Sequence, residues 1–257
     1  MKAKITVLIG LFLLNIASCY AADRIKGNGK IETRTFQVGD YTRLILGEGI
    51  EFEGTSGLNF KKNKKRSPVF HYTQAYGSAT LKITTDENLF QWLNVKEKDG
   101  KLYIEAEEDL KVKPTEMTVT GSSSDLTAVH IHGCMDFHNK GELAVNRIRL
   151  EVSGVGDMEI SDLSAREITC DVSGVGNMHL AGEAEKGNYY VSGVGKIFAY
   201  DCTVKNLKAE VSGVGNMQVM ASEHLDAETS GVGNIKYKGE AKVKTSSSGI
   251  GRVKNAN

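Results

Sequence analysis

Through the second half of the chain apolar and polar residues alternate at period two, and one motif interrupts the alternation at nearly regular places. Its six copies are Ser153-Gly154-Val155-Gly156, Ser173-Gly174-Val175-Gly176, Ser192-Gly193-Val194-Gly195, Ser212-Gly213-Val214-Gly215, Ser230-Gly231-Val232-Gly233 and Ser248-Gly249-Ile250-Gly251, spaced 20, 19, 20, 18 and 18 residues apart. Immediately before each serine stands Val152, Val172, Val191, Val211, Thr229 or Ser247; two residues earlier, Leu150, Cys170, Tyr189, Ala209, Ala227 or Thr245. Five residues after the serine come Met158, Met178, Ile197, Met217, Ile235 and Val253, and seven after, Ile160, Leu180, Ala199, Val219 and Tyr237. Period two on both sides of a glycine corner predicts two short strands with one buried face. A fixed period of this size predicts coils that together bury a core no single coil could bury. The expected fold is all-β: a single-stranded parallel β-helix, a solenoid that is right-handed by the crossover preference of parallel strands. Six coils at roughly 4.8 Å each give a body about 29 Å long. A left-handed hexapeptide helix is disfavoured, because aliphatic residues do not recur every six along a whole coil.

An earlier, degenerate coil is readable at Ile131-His132-Gly133-Cys134-Met135-Asp136-Phe137, with Phe137 at the methionine place. The last coil puts Thr245 and Ser247 at core positions, which predicts a polar terminal cap. Residues 24–120 read as short strands joined by turns, among them Lys82-Ile83-Thr84 and Lys101-Leu102-Tyr103-Ile104-Glu105. Asp86-Glu87-Asn88 before Leu89-Phe90-Gln91-Trp92-Leu93 predicts one short capped helix. No linker rich in Pro, Gly and Ser intervenes. The N-terminal β region (24–120) and the coils (121–257) are therefore expected to pack together as one domain over 19–257.

Composition agrees and adds a destination. The 257 residues hold 28 glycines and two prolines. Lys2 and Lys4, the apolar run from Ile5 to Leu14 and the small residues after it form an export signal over 1–18. The apolar run is too short to span a bilayer. Ile16-Ala17-Ser18-Cys19 has the form of a bacterial lipobox, which would make Cys19 the diacylated first residue; ordinary cleavage after Ala21 or Ala22 is the alternative. Without Lys2 and Lys4 the 32 basic residues fall to 30 against 32 acidic ones, a net charge of −2 that carries no signature of nucleic-acid binding. The run Lys61-Lys62-Asn63-Lys64-Lys65-Arg66 reads as a solvated loop. Cys134, Cys170 and Cys202 are an odd number of thiols for an exported domain and imply no disulfide framework.

Several segments together carry a resemblance: Gly27-Asn28-Gly29, Tyr41-Thr42-Arg43-Leu44, Thr85-Asp86-Glu87-Asn88-Leu89, Val95-Lys96-Glu97-Lys98-Asp99-Gly100-Lys101-Leu102 and the Ser-Gly-Val-Gly coils. Their order over about residues 25–255 resembles the bacterial GIN domain, the head of auto-transporter adhesins, common among exported proteins of Bacteroidetes. The resemblance implies a β-helical, surface-exposed or periplasmic protein with no assigned chemistry. The chain departs from a true autotransporter in leaving no length for a C-terminal outer-membrane barrel.

Candidate chemistry lies outside the core columns. The residue after the second glycine is Asp157, Asn177, Lys196, Asn216, Asn234 or Arg252. Such a column is a hydrogen-bonded turn ladder tolerant of left-handed backbone, or else a ligand-binding ladder. A calcium β-roll is excluded, since Met158, Met178 and Met217 stand where it needs aspartate. An outward column holds Glu151, Asp171, Tyr190, Glu210, Glu228 and Ser246. Like charges roughly 4.8 Å apart repel by about 1 kcal/mol even in water, and Arg149, Lys208 and Lys244 could compensate diagonally. This column is either a charged solvent face or a strip for cations or glycans.

His130, His132, Cys134, Asp136 and His138 would share one face of an unbroken strand, and imidazole with thiolate suits zinc or copper. The corner, however, separates His130 and His132 from His138. Cys170 reads as a buried filler. Tyr190 and Phe198 fall in outward columns, free to stack on sugar rings or else covered by the N-terminal strands. No nucleophile elbow, phosphate loop or sheltered acid pair is readable. The expected function is therefore non-enzymatic and cofactor-free; the family resemblance implies an exported adhesin presenting a surface to a protein or glycan, with membrane contact only through an N-terminal lipid. A polysaccharide-binding or polysaccharide-processing periplasmic protein, and a metal-binding protein, are the alternatives; homo-oligomers stay open.

Overall fold

The computed structural model describes residues 23–52 and 67–257, so Cys19 and the basic run 61–66 lie outside the described residues. The chain is nearly all β and winds into a parallel solenoid of about six turns. Long strands run from one corner to the next: Met158–Val172, Val175–Val191, Val194–Val211 and Val214–Thr229. Each pairs in parallel with the coils before and after it. The columns expected from the repeat are the pairing register itself. Val152, Val172, Val191, Val211, Thr229 and Ser247 are consecutive partners, as are Phe137, Met158, Met178, Ile197, Met217, Ile235 and Val253. The first five of the former and the first six of the latter are buried. Thr245 and Ser247 are exposed, so the core columns end on polar residues.

The corner glycines are needed for a different reason than backbone handedness. None of the motif glycines or asparagines has a positive φ among the described residues. What the glycines lack is room. A Cβ on Gly193 would lie 2.2 Å from the Gly174 carbonyl oxygen and 2.3 Å from that of Ser173, and the same clash recurs one coil on at Gly213. Neighbouring corners sit so close that only hydrogen fits between them.

The N-terminal region continues the stack rather than lying against its flank. Lys101–Ala106, Arg43–Leu46, Ala128–Ile131 and the end of Leu143–Val152 form consecutive parallel rungs. Leu102, Leu44, Val129 and Leu150 thereby extend one core column, all fully buried. On the other side of the corner Val119, Phe70, Phe137 and Met158 do the same. Antiparallel strands Leu93–Lys98 and Thr80–Asp86 then close the first rung, and Ile31–Phe36 pairs onto the latter.

The predicted capped helix is a six-residue 3-10 turn, Glu87–Trp92, and Asp86 makes no cap bond to it. Its carboxylate turns the other way. It accepts the Gly29 amide at 2.7 Å, the Thr115 amide at 2.8 Å and the Thr115 hydroxyl at 2.7 Å. Gly27 packs against the same carboxylate, where a Cβ would stand 2.2 Å from its oxygen. Asn28 bonds Asn88 and Glu87. Gly27-Asn28-Gly29 and Asp86-Glu87-Asn88 are thus two halves of one joint.

Candidate functional site

The most conspicuous outward feature is the valine of the repeat. Val155, Val175, Val194, Val214, Val232 and Ile250 are successive partners along the corner. Their exposures are 37, 40, 54, 54, 51 and 82 %, which makes an uncovered aliphatic ridge. A contiguous apolar stripe of this kind is unusual on a monomer's surface. The six motif serines beside it are exposed too. On the other side runs the corner ladder, where Asn177 donates to Asp157 at 2.7 and 3.0 Å and Asn234 donates to Asn216 at 3.1 and 3.2 Å. Position in the motif contained the signal: the valine has the parity of the outward asparagine, not of the buried methionine.

Before the corner lies the acidic column, in the expected register and led by His130: His130, Glu151, Asp171, Tyr190, Glu210, Glu228 and Ser246. Its charges are compensated in part, twice along a strand and once diagonally between rungs. Arg149 reaches Glu151 at 3.1 Å and Asp171 at 3.4 Å, and Lys208 reaches Glu210 at 3.4 Å. Burial, and then the neighbouring Glu151, push the Asp171 carboxyl above its ordinary value against the pull of Arg149. Glu228 is exposed. Glu151, Asp171 and Glu210 face outward and engage cations of their own sheet. Nothing in that arrangement resembles an acid–base pair converging on one bond.

The histidine–cysteine cluster is divided by the corner. His130 and His132 lie before it, rings 5.8 Å apart, with His130 Nδ1 3.7 Å from Glu151 and His132 Nδ1 3.1 Å from the Ser153 hydroxyl. Cys134 is buried at the corner, and burial, followed by Asp136 and Glu51, pushes its thiol up to about 11. Asp136 accepts the Asp157 amide at 2.9 Å. His138 stands on the far side, 5.5 Å ring to ring from His71. Among the described residues no three His, Cys, Asp or Glu side chains converge as metal ligands.

The two aromatic candidates part likewise. Tyr190 stays before the corner with the Lys208 ammonium 5.5 Å from its ring centre. Phe198 lies after the corner, stacked on His179 at 4.6 Å. Both are half-exposed on the solenoid flank, not covered by the N-terminal strands, because those strands extend the end of the stack. Cys170 and Cys202 are buried and free. Among the described residues no helix is long and apolar enough to cross a membrane.

Comparison with known proteins places these features in a family. The family model described as "Putative auto-transporter adhesin, head GIN domain" matches residues 70–241. Crystal structures of two proteins described as putative adhesins are similar over their whole length. One, from Bacteroides fragilis, is 28% identical with a TM-score of 0.79, covering 90% of this chain and 100% of that one. The other, from Parabacteroides distasonis, is 27% identical with a TM-score of 0.66, covering 91% and 100%. A "Putative lipid binding protein" from Parabacteroides distasonis, 23% identical with a TM-score of 0.72 over 91% and 100%, shares the fold. Among proteins of curated function none matches.

Proposed function

Since the chain belongs to the GIN-domain family of auto-transporter adhesin heads, we propose that it is a non-enzymatic, exported surface protein that makes an adhesive contact with another protein through its corner ridge. The observation that carries this reading is the uncovered Val/Ile ladder, aliphatic at its crest and edged by hydroxyls and amides. Apolar centre and polar margin are the anatomy of a protein contact. The half-exposed Tyr190 and Phe198 support a second reading, stacking on a glycan, but they stand on opposite sides of the corner and do not share one face.

The test uses an array of surface proteins and glycans probed with the wild type and with the double variant Val194→Lys, Val214→Lys. Both positions are half-exposed, so folding is expected to be unchanged within about 0.5 kcal/mol. Binding to protein targets should fall roughly tenfold or more. Retained protein binding, or binding to glycans alone that depends on Tyr190 or Phe198, would sink the reading.

A lipid on Cys19 belongs to the same proposal, since the apolar run before it ends in a lipobox-like sequence. Cys19→Ala is expected to move the protein from the membrane to the soluble fraction. Unchanged membrane association in that fractionation would remove the anchor.

A further inference from the structure

We propose that His71, His138 and Glu159 form a site for a zinc-class divalent cation on the face after the corner. This is independent of the adhesive ridge. The three residues come from distant parts of the sequence and meet only through register: His71 pairs with His138, and His138 with Glu159. Phe70, Phe137 and Met158, each one residue earlier, are buried, so the three neighbours all point outward on consecutive rungs. Rungs about 4.8 Å apart hold side chains at the spacing that neighbouring ligands of one ion require. His179 continues the column beyond Glu159.

The imidazole pair is set at chelating distance. Two rings that each place a nitrogen about 2.0–2.1 Å from a tetrahedral ion have centres about 5 Å apart, and those of His71 and His138 are 5.5 Å apart at 60°. Nδ1 of His71 is buried without a hydrogen-bond partner among the described residues, so none of them fixes the ring's tautomer from that side.

His130 and His132 differ, because Glu151 and Ser153 already engage their Nδ1 atoms. The two imidazoles of the proposed site are neighbours, and Glu159, which does not converge on them in this structure, would reach the ion only by side-chain rotation. Lys140 lies near His71, and its charge opposes a cation there.

Zinc chloride titrated calorimetrically into the mature chain should bind at one equivalent, with a Kd on the order of 10 μM. His71→Ala and His138→Gln should each weaken binding about tenfold or more, Glu159→Gln by less, and His130→Ala not at all. Thermal melts of every variant without zinc separate lost binding from lost folding, and His138→Gln, at a half-exposed position, keeps the test alive if His71→Ala fails to fold. Absence of zinc binding to the wild type overturns the proposal. So does binding that survives His138→Gln or that disappears in His130→Ala.

Discussion

One methyl group at Gly193, introduced as Gly193→Ala, should lower stability by roughly 3 kcal/mol or more, or abolish cooperative folding. The added carbon would lie 2.2 and 2.3 Å from two carbonyl oxygens of the preceding coil. Those oxygens cannot swing aside as a flexible side chain would. Ser173 and Gly174 are backbone in a corner stacked on both sides, where Gly193 donates to Val172 at 3.0 Å and Val194 donates to Gly174 at 2.9 Å. Relief requires separating the coils, which breaks these bonds and parts Val172 from Val191 and Met178 from Ile197 in the core. The adjacent substitution Val194→Ala removes a half-exposed side chain and should cost within about 0.5 kcal/mol. Urea denaturation of the two variants measures the contrast. Equal midpoints would show that the corners are looser than these distances require.

Asp86→Asn should cost about 2–4 kcal/mol, because it keeps the shape of the side chain while breaking its bonding. Both carboxylate oxygens accept hydrogen bonds, from Gly29 and Thr115, and an amide can offer only one acceptor there. The lost bonds join the turn at 27–29 to the segment before Met117–Ser123. Titration distinguishes this account from a merely steric one. Burial tends to raise the Asp86 carboxyl, but the Thr115 hydroxyl and the amides of Thr115 and Gly29 together hold it below its ordinary value. A depressed folded-state pKa contributes stability above the unfolded value near 3.9 and loses it as pH falls through the folded value. Wild-type stability should therefore drop more steeply below about pH 4 than that of Asp86→Asn. Parallel acid profiles would remove the carboxylate from the explanation.

The core of the solenoid was readable because each position is sampled six times. Tyr189 could be assigned to the interior by its alignment with Leu150, Cys170 and Ala209, although its type alone is ambiguous. Arg43–Leu46 and Val69–Gln74 had no such support. They form a coil that lacks the motif, and they stack beside residues far along the chain.

The outward sites show the same divide. Glu151, Asp171 and Arg149 were recoverable from column and parity. His71 and His138 were not associated, because their proximity is a register between strands 67 positions apart in sequence. The corner valine was legible by parity, since it shares the side of the outward asparagine. The glycines marked the corner in the sequence without showing why the corner needs them, since a close approach between coils leaves no trace in a single copy of the motif.

The order of rungs in space is not their order in the chain, and this has a temporal consequence. Each C-terminal coil finds its neighbour 18–20 residues away, so those coils can close one after another over short loops. The rung Arg43–Leu46 lies between Lys101–Ala106 and Ala128–Ile131, and the backbone there is joined to partners 85 residues distant. On a chain made and exported from its N-terminus, this strand emerges early with both edges bare and waits for the partners that will cover them. Long-range closure of this kind is slow. The end of the molecule that is synthesised first is therefore the end that folds last, and during that interval its open edges are what a chaperone would meet.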